Sequence, residues 1–204
     1  RRQRQMCIRD RLRHKLVSLI DNEIVNRKKG LPAEVWIKVN SLIDSEIIDK
    51  LYNASQNGVK IKLIVRGICG IRPGIKGFSE NIKVKSVIGR FLEHSRIFCF
   101  ANGEDMPSSK NSVFISSADL MTRNIERRVE AFIPIINKTV HEQILKQIMI
   151  TYLKDNFNSW TLNPDGTYEK KVSKSNPFSA FQYFIKNPSL SGRGSRLKSN
   201  ENKK

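Results

Sequence analysis

The stretch GRFLEHSRIFCF, residues 89–100, places His94 between Arg90 and Arg96, with Glu93 beside it and an alternating apolar run behind it. An imidazole can give or take a proton near neutral pH, and flanking guanidinium groups are the side chains best shaped to hold phosphate oxygens. Arginines near a histidine are common in a basic protein, so on its own His94 is more readily a plain strand-edge residue. Arg66 adds weight. It closes KLIVR and is followed by Gly67, and ligands of open α/β sheets bind beyond the carboxyl ends of such strands. A solvated strand-end arginine is the alternative at that place. FISSADLMTRN puts Ser116, Ser117, Asp119, Arg123 and Asn124 at a strand end and turn, where hydroxyls and a cation could line a phosphate channel or simply cap the turn. His14 and His141 fall on helical patterns and are expected at the surface. IRPGIKG holds glycines without phosphate-loop spacing. Cys7, Cys69 and Cys99 lack metal-ligand spacing, and their odd number points to reduced thiols.

The elements that must carry these residues follow from periodicity. Leu12, Leu16, Leu19, Ile20 and Ile24 share a helical face that runs out at Gly30. VWIKVN (35–40) alternates as a strand. Asp44 is a candidate N-cap for a helix through Gly58, and VKIKLIVRG (59–67) is a second strand. Strand, helix, strand predicts a parallel pair with a right-handed crossover. Beyond a glycine- and proline-punctuated loop, IKVKSVIG, RIFCFANG, NSVFISSA and RRVEAFIPI read as strands, and NKTVHEQILKQIMITYLKDNF as a last long helix. The expected architecture is a mixed α/β domain over about 31–157, five or six strands flanked by helices, entered by the helix at 12–30. Residues 158–204 read as a basic, partly disordered tail in which FSAFQYFI (178–185) could dock as a short helix.

The net charge of +18 is uneven. Residues 1–11 hold five Lys/Arg against one acid, residues 169–204 nine against two, and the middle 23 against 16. The folded part is thus moderately basic, which suits a polyanion of any kind. No apolar run reaches membrane-spanning length and no signal peptide is visible, so a cytoplasmic address is the default. Residues 1–11 have no apolar period, and MCIRDR matches the translation of a transposon-end adapter used in DNA library preparation (ATGTGTATAAGAGACAG). They are expected to be non-native, with the natural reading frame cut upstream of Leu12.

Taken together, NEIVNRKKGLPAEVWIKVNSLID, the span from DKLYNASQNG to FLEHSRIF, FISSADLMTRNIERRVEAFIPI and NSWTLNPDGTYEKK resemble the C-terminal domain of polyphosphate kinase, the histidine-phosphorylating family. The likeness runs in order from Leu12 to Lys171. Its most specific part is LIVRG with its arginine 28 positions before the histidine of FLEHSR. The resemblance implies a phospholipase-D-like α/β fold, one of two such domains with the active site in a tunnel between them. It implies reversible transfer of the terminal phosphate of ATP to inorganic polyphosphate, with Mg2+ whose ligands lie outside this chain. The phosphorylated nucleophile would lie in an upstream domain absent here. By the same resemblance His94 is the second, proton-handling histidine and Arg66 contacts the nucleotide, as His94 also would. Arg90 and Arg123 would meet polyphosphate. A homo-oligomer is implied for the full-length protein, with ADP as the other nucleotide, no specific nucleic acid, and a cytoplasmic site compatible with membrane association. This chain alone would be inactive. Arg96 stands where the wider phospholipase-D signature has a lysine, which disfavours a general phosphodiesterase. That activity, and a non-catalytic RNA- or polyanion-binding module, are the competing readings.

Overall fold

The computed structural model describes residues 6–7, 11–170 and 176–187. The short strand β1 (Met6–Cys7) precedes helix α1 (Arg11–Lys28), strand β2 (Glu34–Val39), helix α2 (Ser45–Gln56), and strands β3 (Lys60–Val65), β4 (Ile82–Val87), β5 (Ile97–Phe100) and β6 (Ser112–Ser116). Helix α3 (Thr122–Arg127) and strand β7 (Glu130–Pro134) follow. Then comes a helical stretch made of α4 (Lys138–Glu142), a π-helical segment (Gln143–Met149) and α5 (Ile150–Lys154), before strands β8 (Ser159–Leu162) and β9 (Tyr168–Glu169) and helix α6 (Ala180–Lys186). Of the stretch 1–11, residues 1–5 and 8–10 lie outside the described residues, as does the terminal SGRGSRLKSNENKK.

Among the described residues nine strands form one sheet in the order β1-β7-β6-β5-β2-β3-β4-β8-β9. The βαβ unit is present: β2 and β3 run parallel with Val39 opposite Val65, and β4 continues the parallel run. The other pairings are antiparallel, β5 lying against the free side of β2 with Lys38 opposite Ile97. The sheet is therefore mixed, and β2 and β3 sit at its centre.

Because side chains alternate along a strand, each face of β2 serves a different core. Val35, Ile37 and Val39 pack with Leu12, Leu16, Ile20, Ile47 and Leu51, so α1 and α2 cover that face. Trp36, with Ile64, Cys99 and Val113 from neighbouring strands, packs with Leu145, Met149, Tyr152 and Phe181. The C-terminal helices cover that second face. Burial on both faces is what a central parallel strand requires. Asp44 caps α2 as its sequence suggests, its side chain accepting from the Ile47 amide at 3.2 Å.

Three expectations change. The sheet does not stop before residue 158: SWTL is too short and polar to reveal itself, yet it pairs with β4 and carries β9 with it. The turn expected at MTRN opens helix α3 instead, and Arg127, read as the first residue of a strand, ends that helix. His141 is buried, not exposed; its Nε2 lies 2.7 Å from the Asn111 carbonyl, to which it can only donate. No helix among the described residues is long and apolar enough to cross a membrane.

Candidate functional site at one end of the central strands

The parallel run of β2 and β3 brings their carboxyl ends to the same edge of the sheet, and antiparallel β5 begins there. Three chain segments meet as a result: Asn40–Ser41 after β2, Arg66–Gly67 after β3, and Glu93–Arg96 before β5. Arg66 and His94 thus stand two strand spacings apart, roughly 10 Å between backbones, with the end of β2 between them.

That middle segment joins the two. The Gly67 amide donates to the Asn40 carbonyl at 2.7 Å, and a Cβ on Gly67 would sit 2.9 Å from the same oxygen, so only glycine permits the approach. The Asn40 side chain lies 2.9 Å from His94 Nδ1. The amide orientation that satisfies every neighbour has Oδ1 accepting from His94 Nδ1–H at 2.9 Å and from the Arg96 guanidinium at 3.1 Å, while Nδ2 donates to the Glu93 carbonyl at 3.1 Å. His94 itself is exposed.

Two ion pairs fix the His94 segment from below. Lys38, only 5% exposed, reaches through the second face of β2 to the Glu93 carboxylate and to Ser95 Oγ at 3.0 Å. The Tyr152 ring lies 4.7 Å from its ammonium. Burial pulls the Lys38 ammonium below its ordinary range against the attraction of Glu93, and Arg66 and Arg96 push the same way. Burial would raise Glu93, but Lys38 and Ser95 outweigh it and hold the carboxyl below the usual range. Asp119 behaves alike. Burial is opposed by Arg96, at 2.8 Å, and by the amides of Asn40 and Ser41, and the carboxyl is held low. Arg96 also donates to the His94 carbonyl at 2.9 Å.

Arg96 is therefore committed to Asp119 and to the loop backbone, a support for the histidine. Arg123 lies in the first turn of α3 just past Leu120, which bridges to Leu42 after β2, so it belongs to the same edge and is exposed. Arg90 lies on the loop before His94 with its guanidinium 5.9 Å from the Phe91 ring. The Ser116 and Ser117 hydroxyls are engaged with β7, at the Ala131 carbonyl and the Glu130 carboxylate. They serve the turn. Sequence reasoning missed Lys38 and Asn40, which look like ordinary polar strand positions; their partners are 55 and 54 residues away.

Fold and site define a mixed α/β domain that gathers cations and one histidine at a single strand edge. The chain belongs to the polyphosphate kinase family: the family model described as polyphosphate kinase C-terminal domain 2 matches residues 6–182. It is 55% identical over 186 residues, 91% of its length, to a polyphosphate kinase of Erythrobacter litoralis, and 46% identical over 159 residues to that of Pseudomonas aeruginosa, 78% of its length. The crystal structure of the Porphyromonas gingivalis polyphosphate kinase overlays 94% of the chain with a TM-score of 0.79 and 35% identity. The chain spans about a quarter of those proteins, 26%, 22% and 27% respectively.

Proposed function

We propose that this chain is the part of a polyphosphate kinase that grips phosphate groups while the terminal phosphate of ATP passes reversibly to inorganic polyphosphate through a phosphohistidine formed on sequence outside this chain. The observation that carries the reading is the convergence of Arg66 and His94 on one strand edge, with Asn40 touching the segments of both. Phosphoryl transfer asks a protein chiefly for positioning and charge neutralisation. Arg66 offers a two-pronged guanidinium to the nucleotide phosphates. His94, exposed and held at Nδ1, offers Nε2 to give or take a proton at the transferred group. Arg90 and Arg123 extend the cationic surface along which a polyphosphate, carrying about one negative charge per phosphate, would lie.

Mg2+ bound to the phosphates would spread their charge further. The residues here do not fit a site for it. Glu93 and Asp119, the carboxylates nearest His94, are each spent on a cation, and no cluster of three His, Cys, Asp or Glu suited to a metal exists among the described residues. No step is assigned to the metal on this chain.

The test uses the full-length protein, this chain joined to the upstream sequence its relatives carry. His94→Ala is expected to lower ATP-dependent polyphosphate synthesis by about a hundredfold or more, the usual scale for an acid–base group. Undiminished turnover in that variant overturns the reading.

A further inference from the structure

The Asn40 amide is the most fully constrained polar group at the site. Its backbone is fixed on both sides, the N–H donating to Asp119 Oδ1 at 2.8 Å and the carbonyl accepting from Gly67 at 2.7 Å. Its side chain has three partners that agree on a single orientation, Nδ2 toward the Glu93 carbonyl and Oδ1 toward Arg96 and His94. Both donors to Oδ1 are N–H groups, and the Arg96 guanidinium can only donate. The oxygen must therefore face His94 Nδ1, and Nδ1 must carry the proton.

We infer that Asn40 is a positioning residue that holds His94 in the Nδ1–H tautomer and leaves Nε2 free to exchange a proton at the transferred phosphoryl group. This rests on the proposed role of His94 as a proton-handling group. The hydrogen bond made by one ring nitrogen sets the state of the other. In hydrolytic triads a carboxylate does this work and also stabilises the imidazolium. Here the partner is a neutral amide, at a site already holding Lys38, Arg66 and Arg96. It fixes the tautomer and the ring plane without adding a negative charge beside an anion-binding surface. Glu93 and Asp119 confirm the economy of that arrangement, since each meets its own cation and neither reaches the imidazole.

The test combines kinetics and spectroscopy on the full-length protein. Asn40→Ala is expected to lower kcat by about 10- to 100-fold, the range known for partners that orient metal-ligating histidines, with KM for ATP nearly unchanged. Asn40→Asp keeps the shape and adds a charge. It is expected to move the limb of the pH–rate profile that depends on His94 upward by about one pH unit or more. In 15N-histidine-labelled wild type, with His94 assigned through His94→Gln, the neutral ring should show a protonated Nδ1. An Nε2–H ring overturns the inference even if both variants fail to fold. So do an unchanged kcat in Asn40→Ala and an unmoved profile in Asn40→Asp, provided His94→Ala is inactive; the reading of the site then stands without Asn40. If His94→Ala is fully active, both fall together.

Discussion

The two ends of strands β2 and β5 solve the same problem in opposite ways. At the far end from His94, Glu23 of α1 is 1% exposed and accepts only from backbone, the amides of Glu34 and Asn102 at 3.2 and 2.7 Å. Burial, outweighing those two bonds, raises its carboxyl to about 7. At the site end, Glu93 and Asp119 meet Lys38 and Arg96, which hold both carboxyls below the usual carboxylate range. One end neutralises a buried acid with a proton, the other with a fixed cation. The difference matters for function. With Glu93 and Asp119 each held by its own cation, the proposed function has Arg66, Arg90 and Arg123 meet an anion.

Breaking the cation side should have the largest effect. Lys38→Met retains the buried stem and leaves Glu93 without its counter-charge. A loss of about 3 kcal/mol in unfolding free energy is expected, the low end for a broken buried pair because the Glu93 side chain is 26% exposed. Denaturant titration measures it, and a change under 0.5 kcal/mol would mean the pair does not anchor the His94 loop.

The proton side predicts a pH slope. Between the ordinary carboxylate value and about 7, folded Glu23 keeps a proton that the unfolded chain has released. Stability contributed by this group therefore falls as pH rises through that window, by at most about 3 kcal/mol. Glu93 and Asp119 act with the other sign, their contribution present above the ordinary carboxylate range and lost as the pH falls through their depressed values. Glu23→Gln should remove the decline toward neutral pH and leave the acid-side loss in place. Thermal unfolding at pH 5, 6 and 7.5 separates the two, and parallel curves for variant and wild type would contradict the assignment.

A finer probe is Gly67→Ala. Its new Cβ would meet the Asn40 carbonyl at 2.9 Å, so the end of β2 must shift. About 1 to 2 kcal/mol of stability should be lost. In the full-length protein, turnover should drop more than that loss alone explains, because Asn40 carries His94. Turnover equal to wild type would show that the edge tolerates the shift.

Much of this frame was legible beforehand. Alternation in VWIKVN and VKIKLIVRG located β2 and β3, the intervening helix made them parallel, and that placed Arg66 at the carboxyl end of a parallel strand. The family likeness named His94. Lys38 was not legible, because a lysine within an alternating strand normally faces solvent, and only the cover of α5 and α6 turns that face inward. His141 was misread for a similar reason: its helix pattern marks a surface position, but the loop bearing Asn111 closes over it. Strand β8 escaped because four residues, half of them polar, carry no period of their own.

Sequence by itself determined the central helices and strands, α1, β2, α2 and β3 among them, since propensity and hydrophobic period act over a few residues. It also determined the identity of the cations and of the one histidine among them, because side-chain chemistry needs no fold to exist. Tertiary structure alone decided which charges are paired with one another. Coulomb attraction and hydrogen bonding depend on distance in space, and the pairs Lys38–Glu93, Asn40–His94 and Arg96–Asp119 are separated in the chain by 55, 54 and 23 residues. Only the order of strands in the sheet brings them together.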